Sequence, residues 1–504
     1  MLNRRSFLLL ALGAAASLPT SASALTLAAR AVSGSGITDV GVTRREDLGA
    51  FGGTPYERLA GIIAGTVSRD EPVAGLDTVL DDGTYAYTSG FEVIRPAGPD
   101  AYGTVVIEAE NRGTPLMLRD FNGFDVPSGA PQDVSYAPGM GNGFLFDGSR
   151  SYARVQWQAG YSPGVPDDAQ GVGQVIVRDF ARLLRDGRLG HAGSPLGSYR
   201  HRLLVGLSQA AWFVTSFVAE GFNDARGQVF QGAYAQDGTG NQLAINAVAA
   251  ADGEPQTAYV RPDAAPLTPR QVLHRPTSDP VFVDVAAYTD YYRLRAGVSR
   301  QAPGAPGYHR YDWPAAHKPM LSQAAADSAF AQGCNDGEAI PLNPIDNRPY
   351  SRAMLVALEH RIVGGVSAPM PPERLFRADA KPADHALLNG LPGREVWVPR
   401  VDADGFPVGG VRFAAAELPL GSPAPPALRP VSTANAAATC GNFGGWHPST
   451  GDELRARYGS LDRYLAAYDA SVTRLIGRRL LLETDRRFLL DRARAEWTMA
   501  PQRS

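Results

Sequence analysis

Several residue types are scarce in this chain of 504 residues, and each scarcity excludes a class of protein. Two cysteines are too few for a zinc site built on cysteine ligands. The two lysines, Lys318 and Lys381, both follow an alanine three positions earlier, so no Ser-x-x-Lys arrangement occurs. The net charge is -3 and no long basic patch is present, which argues against binding to nucleic acid.

The chain also lacks the residue spacings typical of metal and dinucleotide sites, and it lacks long apolar runs. None of the eight histidines forms a His-x-His or His-x-x-x-His pair, and Gly139, Gly141 and Gly143 lack the preceding strand that a dinucleotide-binding turn requires. We therefore predict neither a metal nor a cofactor. After the N-terminal region no segment reaches 18 consecutive apolar residues, whereas a membrane span needs about 20. We expect no stable membrane insertion of the mature chain.

Basic and apolar residues at the N-terminus predict a secretory signal over residues 1–24. Arg4 and Arg5 precede a short apolar stretch, and Ala22-Ser23-Ala24 supplies a cleavage site of small residues. The paired arginines resemble a twin-arginine signal, which implies transport by the twin-arginine export machinery to the periplasm or the exterior of a bacterial cell. An uncleaved anchor helix is the alternative. In an oxidising compartment Cys334 and Cys440 either form one disulfide or stay separate thiols.

The central part of the chain alternates between short apolar stretches and helical patterns. In the helical stretch at 172–184, apolar residues recur on one face. Alternation of this kind predicts an α/β protein with a mostly parallel sheet and helices on both faces. The predicted strands are 103–110, 152–157, 201–205, 228–234, 280–285 and 308–313, and the predicted helices are 172–184 and 209–220.

Ser208 is the candidate nucleophile. The strand at 201–205 runs into Gly206-Leu207-Ser208 and a helix follows at once, which is the arrangement of a nucleophile elbow. Gly206 and Ala210 provide the small flanking residues that such a tight turn needs. A serine that only caps the helix is the alternative interpretation.

A serine nucleophile requires a base and an orienting acid, which in this arrangement follow it in chain order as acid and then histidine. His317 lies in the loop after the predicted last strand and is the preferred base, with His309 inside that strand as the second choice. Asp290 lies just past the strand at 280–285 and is the preferred acid, with Asp284 as the second choice.

The ordered set of these motifs resembles an α/β-hydrolase-domain family of bacterial, often exported proteins of poorly defined activity. The resemblance covers most of the mature chain. It implies the α/β-hydrolase fold and a serine-hydrolase mechanism, but no particular substrate. The chain differs in having Ala210-Ala211 where the family tends to have Ser-Gly, Asp290 where glutamate is usual, and Gln156 where glycine is usual. The motifs are Glu110-Asn111-Arg112-Gly113, Trp157-Gln158, Gly206-x-Ser208-Gln209, Gly221-Phe222-Asn223, Asp290-Tyr291, His317, Gly333-Cys334 and the tail from Ala438 to Trp497.

Two sources of oxyanion donors are expected in this fold. One is the backbone N–H of Gln209, the residue after the nucleophile, and the other is the loop after an early strand, where we assign the backbone of Arg112 or Gly113. A plain turn is the alternative for that loop.

The chain beyond the candidate base is interpreted as an accessory region. Residues 353–362 predict a helix, and an apolar stripe from Leu461 to Ile476 predicts another, with Ser460 as its N-cap. We predict a signal at 1–24, a hydrolase core at 25–325 and a largely helical extension at 326–504 that packs on the core.

Two functions from different classes are consistent with these features. The first is an exported serine hydrolase that cleaves an ester, with an amide as second choice, through an acyl-enzyme formed by Ser208, His317 and Asp290. The second is an inactive hydrolase scaffold that binds a ligand or a partner, which the imperfect elbow and the large extension suggest.

Overall fold

The computed structural model describes residues 34–69, 71, 83–98, 101–122, 142–146, 150–158, 171–224, 227–241, 243, 266–300, 302–317, 341–382, 395–424 and 444–499. The predicted signal at 1–24 and both cysteines lie outside these residues, so export and the disulfide remain predictions. Within the described part, every helix is too short or too polar to cross a lipid bilayer.

Most strands of the described residues belong to one large sheet, and the others form three antiparallel sheets of two strands each. The strands are β1 (Gly36–Phe51), β2 (Thr54–Ser68), β3 (Thr84–Pro96), β4 (Ala101–Glu108), β5 (Arg150–Val155), β6 (Arg188–Leu189), β7 (Ala192–Gly193), β8 (Ser198–Leu207), β9 (Gly232–Gln236), β10 (Val281–Ala287), β11 (Tyr308–Trp313), β12 (Ala378–Pro382), β13 (Glu395–Pro399), β14 (Gly421–Ala424) and β15 (Gly445–Pro448).

The large sheet has the spatial order β1-β2-β3-β5-β4-β8-β9-β10-β11. From β5 to β11 every neighbouring pair is parallel, whereas β1, β2 and β3 add an antiparallel edge that was not predicted. The α/β class with a mostly parallel sheet is therefore confirmed. Because all parallel strands run the same way, the loops after β8, β9, β10 and β11 meet at one edge of the sheet.

Helices cover both faces of the sheet and fill the C-terminal region. The helices are α1 (Leu116–Asn122), α2 (Val172–Asp186), α3 (Gln209–Ala219), α4 (Pro269–Val272), α5 (Asp290–Arg293), α6 (Ala296–Arg300), α7 (Arg348–Gly364), α8 (Ala414–Glu417), α9 (Gly451–Tyr458), α10 (Leu461–Gly477) and α11 (Arg486–Met499).

Alternate side chains of the central strands enter two different apolar cores, as the two-residue period of a strand requires. Val105 and Ile107 of β4 pack with α2 and α3 on one face. Val106 of the same strand packs on the other face with residues of α1, α7, α10 and α11. The helical extension thus shares a core with one face of the sheet.

The predicted apolar stripe of α10 forms the inner face of that helix. Tyr468, Val472 and Leu475 are buried in the shared core. The Ser460 hydroxyl accepts a hydrogen bond from the Arg463 N–H, which caps the first turn.

Two arginines hold Asp346 at the start of α7. Arg348 donates through Nε to its Oδ1 at 2.9 Å and through Nη2 to its Oδ2 at 2.7 Å, and Arg492 of α11 donates to its Oδ2 at 3.0 Å. Burial raises the pKa of Asp346, but the two guanidinium groups outweigh burial and lower it to about 2. Asp346 therefore anchors the last helix to α7 in its ionised form.

Acid is expected to remove this contribution to stability. The pKa of Asp346 is lower in the folded chain than its ordinary value of about 3.9, so its contribution is complete above pH 4 and is lost as the pH falls toward 2. The size is about 2–3 kcal/mol. Chemical denaturation of wild type and Asp346→Asn at several pH values measures it. The stability difference between the two should shrink across this window, and a constant difference would contradict the prediction.

Candidate active site

A strained turn places Ser208 at the carboxyl edge of the sheet. Ser208 lies between the end of β8 and the first residue of α3. Its backbone angles, φ 59° and ψ −122°, are unusual for a residue with a side chain. Its N–H donates to the carbonyl of Gln236 at 2.8 Å, which ties the turn to β9.

The turn demands glycine at position 206. A Cβ there would lie 2.2 Å from the carbonyl oxygen of Ala210 and 2.8 Å from the Val214 side chain. The first turn of α3 therefore packs directly on the backbone of β8. The Ser208 side chain makes no capping hydrogen bond to α3, so the hydroxyl is directed elsewhere.

His317 lies four residues past the end of β11, at the same edge of the sheet. Its backbone N–H donates to the Thr289 hydroxyl at 2.8 Å, which fixes the loop against the segment after β10. Its imidazole Nε2 lies 2.7 Å from the Ser208 Oγ, and its Nδ1 lies 2.7 Å from Oδ1 of Asp290.

Asp290 is the first residue of α5. Together Ser208, His317 and Asp290 form a hydrogen-bonded row of three side chains. Oδ2 of Asp290 accepts the N–H of Ala287 at 2.9 Å, so both carboxylate oxygens have donors. The carboxylate can only accept from Nδ1, which leaves Nε2 as the acceptor for the serine proton. The side chains of His317 and Asp290 are fully buried, whereas Ser208 is half-buried.

The structure brings Ser208, His317 and Asp290 together, but it places the second-choice residues elsewhere. His309 is near the amino end of β11, at the edge opposite to Ser208, and burial lowers the pKa of its imidazole. Asp284 lies in the middle of β10, where it accepts the Tyr308 hydroxyl at 2.9 Å and faces Arg310 at 3.6 Å.

The candidate oxyanion loop lies beside the elbow. The Asn111 side-chain amide donates to the carbonyl of Leu207 at 3.1 Å, which ties this loop to the residue before Ser208. The loop adopts left-handed angles at Arg112 and Gly113. The Arg112 N–H donates to the side-chain oxygen of Gln158 at 3.1 Å, so it would have to leave or share that partner to serve an oxyanion.

Four polar residues of this region were given no role in the site from the sequence, although Asn111 and Gln158 belong to the motifs quoted above. Asn111 and Gln158 hold the loop, Thr289 holds the His317 backbone, and Asp237 lies beside Asp290. The available signal was their position, since each lies within a few residues of the carboxyl end of a strand.

Among the described residues, Asp237, Asp290 and His317 offer one ligand-type atom each within 4.8 Å of one another. Both ring nitrogens of His317 are already engaged by Ser208 and Asp290. A metal ion at this group would have to break one of those hydrogen bonds, so the three residues fit a proton network better than a metal site.

A large cavity lies at the edge of the sheet opposite to Ser208. A cavity of about 1130 Å³ is lined by Gly103, Thr104, Arg200 and His201, among others. These residues lie near the amino ends of β4 and β8, at the edge opposite to Ser208.

Comparison with protein families gives one match. The model of the family described as "Alpha/beta hydrolase domain" matches residues 138–491, more than half of the chain and inclusive of all three residues of the row. A comparison with curated proteins finds no match.

Several solved structures are similar to part of the chain. A CE15 glucuronoyl esterase from Teredinibacter turnerae T7901 is 12% identical over 49% of this chain and 60% of that one, with a TM-score of 0.28. The brefeldin A esterase, a bacterial homologue of human hormone sensitive lipase, is 13% identical over 50% of this chain and 68% of that one, with a TM-score of 0.26. The S-formylglutathione hydrolase from Staphylococcus aureus is 10% identical over 51% of this chain and 91% of that one, with a TM-score of 0.25. The chain thus spans 60% of the length of the first of these structures.

Proposed function

We propose that this chain, which belongs to the alpha/beta hydrolase domain family, is an exported serine hydrolase that cleaves an ester bond, with an amide as the second choice of substrate. One observation carries the proposal. Ser208, His317 and Asp290 form a continuous row of hydrogen bonds, each 2.7 Å long, that begins at a strained strand-to-helix turn.

In the first half of the reaction the Ser208 Oγ attacks the carbonyl carbon of the substrate. His317 Nε2 takes the hydroxyl proton as the new C–O bond forms, and buried Asp290 stabilises the resulting imidazolium and keeps its ring in orientation. His317 then gives the proton to the leaving alcohol or amine, and an acyl-enzyme remains on Ser208.

The developing oxyanion is bound by backbone N–H groups at the start of α3 and in the loop at 111–114. Gln209 contributes the first donor, aided by the positive end of the helix dipole. Gly113 or Arg112 contributes the second. For donation by Arg112, its N–H has to leave or share the side-chain oxygen of Gln158, which accepts it in this structure.

In the second half a water molecule replaces the leaving group. His317 removes a proton from the water, the hydroxide attacks the acyl carbon, and the acid product leaves as Ser208 regains its proton. No group other than the row of three and the oxyanion donors is needed for this cycle.

Export is part of the proposal. It rests on the paired arginines, the short apolar stretch and the small-residue site within residues 1–24. The expected location is the periplasm or the exterior of a bacterial cell.

A fluorophosphonate probe tests the nucleophile. We expect the probe to label the wild-type protein at Ser208 and to abolish turnover of short-chain esters, because it reacts only with an activated serine hydroxyl. Ser208→Ala should show neither labelling nor turnover. The matched control is Ser216→Ala in the same helix, whose hydroxyl bonds to Leu243 and should leave labelling unchanged.

The same experiment separates the enzyme from the inactive scaffold. A folded wild-type protein that neither reacts with the probe nor turns over any ester of the panel would favour the scaffold. Labelling that persists in Ser208→Ala would refute the assignment of the nucleophile.

A further inference from the structure

A second buried carboxyl group lies behind the candidate base. Asp237 directly follows β9, the strand that pairs with both β8 and β10. It therefore stands between the strand that carries Ser208 and the strand that leads to Asp290. Its backbone N–H donates to the carbonyl of Val285 at 2.7 Å, and only 2% of its surface is exposed.

The Asp237 side chain is directed at the acid of the row. One oxygen of its carboxyl group lies within 4.8 Å of an oxygen of the Asp290 carboxyl group and of a His317 ring nitrogen. A hydrogen bond between two carboxyl groups requires a proton on one of them. Two buried carboxylates at this separation cannot both be ionised without a large free-energy cost.

The partners of the two groups indicate where the proton resides. Asp290 accepts hydrogen bonds on both oxygens, from His317 and from the Ala287 N–H, as an ionised group does. Oδ1 of Asp237 has no hydrogen-bond partner among the described residues. Burial first, and then the charge of Asp290, raise the pKa of Asp237 well above its usual range.

A neighbouring side chain fixes Asp237 in this position. Hydrogen bonding by the Gln236 side chain lowers the pKa of Asp237 and so opposes part of the effect of burial. The carbonyl oxygen of the Gln236 side chain accepts the hydroxyls of Tyr234 and Ser351, each at 2.9 Å. Its amide nitrogen is therefore the end that faces Asp237.

We propose that Asp237 is a positioning residue for the row of three: its neutral carboxyl group donates a hydrogen bond to Asp290, and it is close enough to His317 to act as the acid when Asp290 cannot. The inference rests on the proposed function. In Asp290→Asn the charge of Asp290 no longer raises the pKa of Asp237, although burial still does. The attraction between the Asp237 carboxylate and the His317 imidazolium then favours release of the Asp237 proton, and the carboxylate pairs with His317.

Steady-state kinetics of an ester substrate with matched variants tests this proposal. Asp237→Asn keeps a donor toward Asp290 and should retain kcat within about threefold, whereas Asp237→Ala removes the donor and should lower kcat about 10–100-fold. KM should stay unchanged in both, because Asp237 does not contact substrate. Circular dichroism shows whether each variant is folded.

Variants of Asp290 test whether Asp237 can act as the acid in its place. An orienting acid that has no substitute costs about 10⁴-fold in kcat when it is changed to its amide. We expect Asp290→Asn to lower kcat by only about 10²-fold, because Asp237 replaces the lost acid. The double variant Asp237→Asn/Asp290→Asn should show the full loss in kcat of about 10⁴-fold.

Two results would overturn the proposal while the serine mechanism stands: an Asp237→Asn variant as impaired as Asp237→Ala, or a double variant no slower than Asp290→Asn alone. If folded wild-type protein shows no turnover and no probe labelling at Ser208, the proposed function fails and this inference fails with it.

Discussion

Replacing His317 by alanine is expected to lower kcat for a short-chain ester by at least about 10⁴-fold, with little change in KM. His317 is the group within 2.7 Å of the Ser208 Oγ that can accept its proton, and the variant leaves a neutral hydroxyl, which is a weak nucleophile at neutral pH. Initial rates and single-turnover labelling by the fluorophosphonate probe measure the loss.

His309→Ala is the matched control for this variant. Both histidines belong to β11 or the loop after it, but His309 lies near the opposite end of the strand, so its variant should keep wild-type kcat. Substantial turnover by His317→Ala, or an equal loss in His309→Ala, would contradict the assignment of the base.

The proximity of these three residues was predictable because it depends on strand order and direction. Parallel strands present their carboxyl ends at one edge, so polar residues just after predicted strands are expected to converge there. Ser208, Asp290 and His317 each follow a strand whose apolar core was evident in the sequence. The elbow was predictable as well, because Gly206 and Ala210 are small where β8 meets α3.

The antiparallel edge was not predictable from the same signals. β1 is exposed or half-buried along almost all of its length, so its sequence has no alternation of apolar and polar residues. In β2, glycines interrupt the apolar pattern. Apolar periodicity reports burial, and strands at an exposed edge give little of it.

Asp237 was missed for a different reason. In the sequence, Gln236-Asp237-Gly238 resembles an ordinary turn after a strand. Its contact with Asp290 arises only because β9 lies between β8 and β10 in the sheet. Such a contact depends on the order of strands across the sheet, which local patterns do not specify.

Replacing Arg352 by methionine is expected to lower the free energy of unfolding by about 3–5 kcal/mol. Arg352 of α7 pairs with Asp485 through two nitrogens, at 2.5 and 3.0 Å, and donates to the carbonyl of Phe121 at 3.0 Å. Both members of the pair are buried. The variant leaves Asp485 without its paired cation, so burial and then the charge of Asp346 raise the pKa of that carboxyl group against the weaker opposing effect of Arg348. The midpoint of unfolding in guanidinium chloride measures the loss.

Two further variants show whether the loss comes from the unpaired buried charge. In Arg352→Met/Asp485→Leu neither charge remains, and most of the stability should return, because apolar side chains of similar volume can replace a buried ion pair. Arg400→Ala removes an exposed pair with Asp379 and should leave the midpoint unchanged, since solvent screens such pairs. A double variant as unstable as Arg352→Met would contradict this explanation. The packing of α7 on the segment before α11 would then depend on the shape of the arginine side chain and not on its charge.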